Sequence, residues 1–401
     1  MWQGLSSRNR AITCMMVASL LGQWNVASAA DATERPTILQ KYDGHLGTYA
    51  ASGRFLAYVD TANRLRVEEV EDEIAIDPKE VDRLINALDS ERFHERNEAY
   101  TKLRQLGRLV RHQLDERQAL GDRNSLEVQE RLKSLQDAIT LSSLSNQQGN
   151  IQRLAVSPND ELVAVGGNDR TVTIWRSSSV QRESIISAFD SSIRALAFSP
   201  DSESLAIGTG NGAIYLYHIS RQTLSAPLLG HASAVLDLAF SPDQKRLYST
   251  GGSDKRVGIW SLGTNANGDD KAHKKWLLAH EDVVRCLAVS PDGETVVSGG
   301  YDKTLILWDT TSQQVAARLT GHSGTIRDIS FISSNHFISA SDDGTVRLWS
   351  LDASESLATL NPRVDGISSV SLHPSKPQIA ISGASDRLLT LKWDVAKSLS
   401  R

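Results

Sequence analysis

The sequence predicts a mainly β fold assembled from small sheets of one kind, and three observations support this prediction. The stretch from Gly321 to Ser350 contains three short β-rich runs separated by polar turns. A three-stranded unit of that size cannot bury both of its faces alone, so it needs similar neighbours. Those neighbours exist, because an aromatic residue of the third run recurs every 41 to 48 residues. The recurring aromatic residues are Trp175, Tyr217, Trp260, Trp308, Trp349 and Trp393.

Turn residues hold fixed positions in the same units. An acidic or amide residue stands six positions before five of the aromatic residues, and Asp386 stands seven before the last one. These five residues are Asp169, Asn211, Asp254, Asp302 and Asp343. A Ser-Pro-Asp or Ser-Pro-Asn turn joins the first and second runs at Ser157, Ser199, Ser241 and Ser290. Self-similarity at this period is typical of an array of blades.

The units resemble WD40 repeats, because they carry the Gly-His and Trp-Asp dipeptides of that family. The dipeptides are Gly230-His231, Gly321-His322, Trp308-Asp309 and Trp393-Asp394. The resemblance extends from Gln148 onward and implies a β-propeller with four strands per blade around a central channel. Residues 37–70 are interpreted as a first, degenerate blade that lacks the aromatic residue near Glu68. The predicted fold is therefore a seven-bladed propeller, whose other six blades occupy residues 139–397.

The two ends of the array support a closed ring. The last unit stops at Trp393-Asp394 with few residues left for an outer strand. The segment from Thr37 to Tyr42 has the pattern of a strand and belongs to none of the repeat units. Pairing this segment with the last blade would close the ring and remove an open sheet edge.

The first residues of the chain predict export. Residues 1–30 have the pattern of a secretory signal, with Arg8 and Arg10, the apolar run Ala11 to Leu21, and Ala27-Ser28-Ala29 as the cleavage site. A membrane anchor is the alternative, but the run falls well short of the ~20 residues that span a bilayer. We therefore expect a periplasmic or secreted protein without a transmembrane anchor after signal removal.

Residues 77–138 predict an all-α insertion between the third and fourth strands of the first blade. Asp77-Pro78 is an N-cap followed by proline at the first helical position. Val81, Leu84, Ile85 and Leu88 then form one apolar stripe. Further helices are predicted from Ser90 to Gly107, over residues 108–120, and from Ser125, and together they resemble a fragment of HEAT-type repeats. The interspersed charges favour a solvated surface, and a partner-binding surface is the alternative.

Three units carry the full set of polar residues that the WD40 family uses as a structural hydrogen-bond network. An imidazole can bridge a turn carboxylate to a strand hydroxyl, and the indole N–H adds a fixed donor. A hydrolase triad is the alternative, but three repeats at similar spacing favour a stabilising device over one active site. The predicted tetrads are His231, Thr250, Asp254, Trp260; His280, Ser298, Asp302, Trp308; and His322, Ser339, Asp343, Trp349.

The resemblance implies a partner-binding face around the turns between second and third strands and the starts of the first strands. Tyr301 is the best anchor candidate, because aromatic and Arg residues dominate binding hot spots. For each single Arg, a solvated charge or a local ion pair is the more ordinary interpretation. The candidates are Tyr301, Asn168, Ser253, Asp342, Ser385, Arg153, Arg194, Arg285 and Arg327.

These observations predict a non-catalytic, monomeric scaffold that binds a protein partner. The alternative is an enzyme or small-ligand-binding propeller with a site at the channel mouth. A purely structural envelope component is a third option. The sequence contains no metal or phosphate-loop motif, so we expect no cofactor. Its net charge of −5 shows no basic excess, which makes nucleic acid a poor partner. A deep pocket with perturbed acids would favour the enzyme, and an aromatic and Arg rim would favour the scaffold.

Overall fold

The structure is a computed structural model. Its described residues form a mainly β, seven-bladed propeller, which confirms that part of the predicted fold class. Within the described ranges, no helix is both long and apolar enough to cross a membrane. The predicted signal peptide lies outside them. The described residues are 33–34, 37–53, 55–69, 78–90, 92–106, 130–131, 150–178, 181–263, 274–383 and 387–393.

The strands of the described residues are numbered in chain order, and most are five or six residues long. Their bounds are β1 Thr33–Glu34, β2 Thr37–Tyr49, β3 Phe55–Asp60, β4 Leu65–Glu69, β5 Ile151–Val156, β6 Leu162–Gly167, β7 Val172–Arg176, β8 Gln181–Ile186, β9 Ile193–Phe198, β10 Ser204–Thr209, β11 Ile214–His218, β12 Thr223–Leu224, β13 Val235–Phe240, β14 Arg246–Gly251, β15 Val257–Ser261, β16 Lys274–Leu277, β17 Val284–Val289, β18 Thr295–Gly300, β19 Leu305–Asp309, β20 Gln314–Leu319, β21 Ile326–Phe331, β22 His336–Ser341, β23 Val346–Ser350, β24 Ala358–Leu360, β25 Ile367–Leu372, β26 Gln378–Gly383 and β27 Arg387–Lys392.

Five blades are each built from four consecutive antiparallel strands. They are blade 2 (β5 to β8), blade 3 (β9 to β12), blade 4 (β13 to β16), blade 5 (β17 to β20) and blade 6 (β21 to β24). The short strand β1 adds to the outer edge of blade 6, where it pairs in parallel with β24. The first strand of each blade contacts the first strand of the next, so these strands line a central channel.

Strand β2 is shared between the first and last blades. Residues 37–43 pair with β27 and complete blade 7, which also contains β25 and β26. The following residues, 44–49, pair with β3 and begin blade 1, which continues with β4. One continuous sheet therefore runs through two blades, and the seven blades form six hydrogen-bonded sheets. The segment predicted to close the ring, Thr37 to Tyr42, lies within the pairing to β27.

Adjacent blades pack closely because one position of the second strand is small. A Cβ added to Gly299 in β18 would lie 2.7 Å from Cγ2 of Ile326 in the next blade. The equivalent Gly166 would meet Ile193 at 2.6 Å. Such distances are shorter than packed carbon atoms tolerate, so a larger side chain would push the blades apart.

Two helices are described in the insertion, α1 Pro78–Ala87 and α2 Phe93–Leu106. The four residues of the predicted stripe are buried between them, together with Ala99 and Leu103. Ser90 caps α2, since its Oγ accepts the N–H of Arg92 over 3.2 Å. Two short helices do not support a large all-α module. The third predicted helix and the fourth, apart from residues 130–131, lie outside the described residues.

Candidate functional site at the open face and channel mouth

Blade 5 contains a hydrogen-bonded chain that joins a buried indole to a turn carboxylate. The N–H of Trp308 donates to Ser298 Oγ over 2.8 Å. Ser298 Oγ lies 2.7 Å from Nε2 of His280, whose Nδ1 lies 2.7 Å from the Asp302 carboxylate. An indole only donates and a carboxylate only accepts, so the tautomer with its proton on Nδ1 satisfies the whole chain. The arrangement ties the start of the blade to its second hairpin.

Blades 4 and 6 repeat this chain, with one correction. In blade 6, His322, Ser339, Asp343 and Trp349 are joined over 2.7 to 2.8 Å. In blade 4 the hydroxyl belongs to Ser249, which bonds both His231 (2.7 Å) and Trp260 (2.8 Å). The prediction of Thr250 is therefore wrong by one residue.

The error has a geometric cause. Ser249 pairs with Leu238 across the first hairpin, just as Ser298 pairs with Leu287, so the two serines are equivalent. Blade 4 carries one additional residue between this serine and the turn aspartate. Counting back from Asp254 therefore reaches Thr250, whose buried hydroxyl has no hydrogen-bond partner among the described residues.

Hydrogen bonding to the turn aspartates outweighs their burial. Burial alone would raise the pKa of Asp302, but the hydrogen bonds from His280 and from two backbone N–H groups lower the pKa to about 2. The same balance of burial and His hydrogen bonding lowers the pKa of Asp254 and Asp343. The serine and histidine side chains of these chains are buried, so substrate cannot reach them. This geometry is that of a stabilising device.

Blade 2 lacks the device. The position of Ser298 is taken by Val165, which pairs with Leu154 in the equivalent register. The Trp175 indole donates instead to Thr173 Oγ1 on its own strand, over 3.0 Å. The indole N–H therefore has an acceptor, but no described histidine joins the strands of blade 2 to its turn.

Three of the predicted face residues form a cluster on the rim between blades 5 and 6. Arg327, in β21, binds Asp342 through Nε (2.8 Å) and Nη2 (2.7 Å). Its guanidinium carbon lies 5.6 Å from the ring centroid of Tyr301, whose surface is 43% exposed. The hydrogen bond from Arg327 to Asp342 is the main cause that raises the pKa of this arginine. We call Tyr301, Arg327 and Asp342 the rim cluster.

The remaining predicted face residues do not join the rim cluster. Asn168 and Ser253 are exposed in the turns of blades 2 and 4. Arg194 donates from Nε to Ser192 Oγ over 3.1 Å, a local contact within blade 3. Ser385 lies outside the described residues.

Arg153 and Arg285 lie instead in the channel mouth, where a cavity of about 180 Å³ opens among the inner strands. Arg153, in blade 2, reaches the Leu236 carbonyl of blade 4 through Nη2 over 3.2 Å. Arg285, in blade 5, approaches the same carbonyl through Nη1 at 3.4 Å. Burial, followed by the charge of Arg285, lowers the pKa of Arg153 to about 9. Two guanidinium groups thus share one acceptor.

Two carboxylates of the cavity wall were missed in the sequence. Asp237 accepts the N–H of Leu287 in the next blade over 2.9 Å. Asp328 accepts the N–H of Val370 in the same way over 2.8 Å. Each also accepts the N–H of its own following residue. Burial raises the pKa of both, to about 7 for Asp328. The available signal was an acidic residue at the third position of the first strand, which is otherwise apolar in β13.

Among the described residues, no group of three or more His, Cys, Asp or Glu side chains is arranged to hold a metal ion. The one described cysteine, Cys286, is buried in the inner strand of blade 5, and burial raises the pKa of its thiol. Such a thiol is unreactive.

Comparison with known proteins matches parts of the chain to WD40 families. The family described as WD domain, G-beta repeat matches residues 273–309 and 313–350. The family described as anaphase-promoting complex subunit 4 WD40 domain matches residues 154–242. These matches support the WD40 resemblance for blades 2 to 6.

Curated relatives and a solved structure match over part of the chain. The small ribosomal subunit protein RACK1y of Oryza sativa subsp. japonica is 32% identical over 31% of this chain and 35% of its own length. The guanine nucleotide-binding protein subunit beta of Zea mays is 32% identical over 31% of this chain and 35% of its own length. The ribosome biogenesis protein ytm1 of Aspergillus clavatus is 34% identical over 28% of this chain and 25% of its own length. The chain therefore spans about a quarter to a third of these relatives. The solved structure of U3-55K is similar with a TM-score of 0.53 and 26% identity, over 60% of this chain and 76% of that chain.

Proposed function

We propose that this protein is a non-catalytic scaffold that binds a protein partner. Binding would use the face of the propeller that carries the turns between second and third strands. The rim cluster carries this proposal. It presents a half-exposed tyrosine beside an arginine that a bidentate ion pair holds in place. Tyrosine and arginine are enriched among residues that dominate binding energy, and a fixed arginine loses little rotamer freedom on binding.

The similar proteins favour the same kind of role. Their names describe a ribosomal subunit protein, a ribosome biogenesis protein and a subunit of a guanine nucleotide-binding protein. Because the chain spans only part of their length, the identity of its partner does not follow from them. Fold similarity alone would support many functions, so the rim cluster remains the specific argument.

The backbone hydrogen bonds of the channel carboxylates favour a structural role. Asp237 and Asp328 each accept two backbone N–H bonds, which fixes them in the wall between blades. Their raised pKa inside a cavity favours the enzyme alternative, so the scaffold proposal rests on the rim cluster and not on the channel. The second candidate function is small-ligand binding at the channel mouth, which the cavity beside Arg153 and Arg285 favours.

Export and the helical module belong to the same proposal. Arg8, Arg10 and the following apolar run support a cleaved signal, with residue 31 near the start of the mature chain. Mass spectrometry of the protein from its native host would test this, since an intact N-terminus would contradict cleavage. The pair of helices α1 and α2 supports a small HEAT-like element within residues 77–138, and an experimental structure of that segment would test it.

Affinity capture with paired variants tests the scaffold. The double variant Tyr301→Ala/Arg327→Ala removes the anchor and its neighbour. The matched control Arg176→Ala breaks the Arg176–Glu183 ion pair, an exposed pair of 3.1 Å on blade 2. We expect wild-type and control proteins to capture the same partner and the double variant to lose at least ~90% of it, as removal of a hot spot does. Equal capture by all three proteins would refute the rim cluster as the binding surface.

A further inference from the structure

Two arginines in the channel mouth are held close together without an acidic partner. No ion pair within 4.0 Å joins Arg153 or Arg285 to a carboxylate among the described residues. Their shared acceptor, the Leu236 carbonyl, lies at 3.2 and 3.4 Å, the long end of hydrogen bonding. Arg153 has one further acceptor, the Gln152 carbonyl. Since each guanidinium has five N–H donors, most donors of the pair have no protein acceptor among the described residues.

The nearby carboxylates attract the two arginines but form no ion pair with either of them. Asp237 and Asp328 line the same cavity, but their oxygens accept backbone N–H groups of the wall. Arg327 also lines it and is already paired with Asp342 on the rim. Burial raises the pKa of both cavity aspartates, to about 7 for Asp328, so near neutral pH their negative charge does not fully offset the two arginines.

Holding two guanidinium groups together in a partly desolvated cavity is unfavourable. The cost is visible at Arg153, where burial and the charge of Arg285 lower the pKa to about 9. Buried charges in proteins are normally paired or hydrogen-bonded, and an anion between the two groups would remove the repulsion. Guanidinium groups recognise oxyanions with two oxygens especially well, because their N–H donors form a planar fork.

We propose that the channel mouth is a binding site for a single carboxylate, held between the guanidinium groups of Arg153 and Arg285. The cavity of about 180 Å³ accepts a carboxylate with a short aliphatic stem, since a water molecule occupies ~30 Å³ of the liquid. Asp237 and Asp328 repel a carboxylate monoanion less than a phosphate dianion, so a carboxylate fits this cavity better. The site goes beyond the proposed scaffold and does not depend on the rim cluster.

Two sources present this chemistry: a free short-chain acid, or a glutamate side chain of a bound protein. Isothermal titration calorimetry of the purified protein would use two probes, butyrate and the capped peptide Gly-Glu-Gly, each of which carries one carboxylate. The buffer must contain no other carboxylate and no phosphate. We expect one-to-one binding of at least one probe. Binding of butyrate alone identifies a free acid, and binding of the peptide alone identifies a side chain. Binding of both supports the site without preference, and binding of neither overturns it.

Variants locate the site. In Arg153→Gln/Arg285→Gln we expect at least ~10-fold weaker binding, as loss of charge-assisted hydrogen bonds implies. The matched control Arg363→Gln removes one exposed charge from the loop before β25 and should bind as wild type. Circular dichroism checks folding, and if the double variant does not fold, each single variant replaces it. Arg285→Lys keeps the charge but loses the planar fork, so it should also weaken binding. Unchanged affinity in the Gln variants would overturn the proposal.

Discussion

Two neighbouring hydroxyl groups in blade 4 give a sharp test of the hydrogen-bonded chain. Ser249 and Thr250 are both fully buried and adjacent in β14, but they face opposite sides of the strand. Ser249 joins His231 to Trp260, whereas the Thr250 hydroxyl has no hydrogen-bond partner in the described part of the chain. We therefore expect Ser249→Ala and Thr250→Val to change stability in opposite directions.

The magnitudes follow from the groups left behind. Ser249→Ala leaves a buried indole N–H and a buried imidazole nitrogen without a partner, each of which costs ~1–3 kcal/mol when unsatisfied, so the loss should be about 2–6 kcal/mol. Thr250→Val keeps the shape of the side chain and removes an unpaired polar atom. Its effect should lie between zero and a gain of ~1 kcal/mol.

Equilibrium unfolding in urea, followed by tryptophan fluorescence, would report both changes as shifts in the transition midpoint. Amide hydrogen exchange in blade 4 would give the local opening free energy when unfolding is not two-state. Ser298→Ala, which strands the equivalent groups in blade 5, serves as the internal repeat and should match Ser249→Ala. A Thr250→Val variant that is destabilised as strongly as Ser249→Ala would refute the assignment of the hydroxyl.

Three further outcomes are expected. The folded-state pKa of Asp302 is about 2, below its ordinary 3.8, so its contribution to stability is present above about pH 4 and is lost as pH falls towards 2. Asp302→Asn should therefore flatten the acid limb of a stability–pH curve, and an unchanged limb would contradict this. The pKa of Asp328 is raised to about 7, so its protonated form stabilises the fold at low pH, and this contribution is lost as pH rises from about 4 to 7. Asp328→Asn should remove that decline, as measured by thermal unfolding across the interval, and an identical decline in the variant would disprove it. Deletion of residues 37–42 removes the outer strand of blade 7, so thermal unfolding should shift to markedly lower temperature, whereas an unchanged midpoint would show that the β2–β27 pairing does not stabilise the ring.

The repeat period and the turn residues were sufficient to predict the propeller, because each blade repeats one local pattern. The pairing register of the strands within a blade was harder to predict from the sequence. The sequence placed the serine of blade 5 correctly in its chain, but one additional residue before Asp254 displaced the assignment to Thr250. A residue count through a turn cannot detect an insertion, whereas strand pairing determines which side chains share a face.

The candidate site was predictable in its rim but not in its channel. Tyr301, Arg327 and Asp342 lie in two adjacent blades, and position within the repeat was enough to place them on one face. The convergence of Arg153 and Arg285 on one carbonyl depends on side chains that approach from blades 2 and 5. The repeat pattern gives the position of a residue within its blade, but it does not give the direction of a long side chain in the channel.

The sharing of β2 between two blades also constrains the order of events during biosynthesis. Residues 37–43 emerge from the ribosome about 350 residues before their partner strand, residues 387–392. Blades in between can form as they are synthesised, but the early segment must wait with its backbone groups unpaired. Closure then requires a contact between segments about 350 residues apart in the chain, which carries a large loop entropy and slows folding. A chain that stalls before blade 7 would keep this segment available for pairing with the wrong molecule.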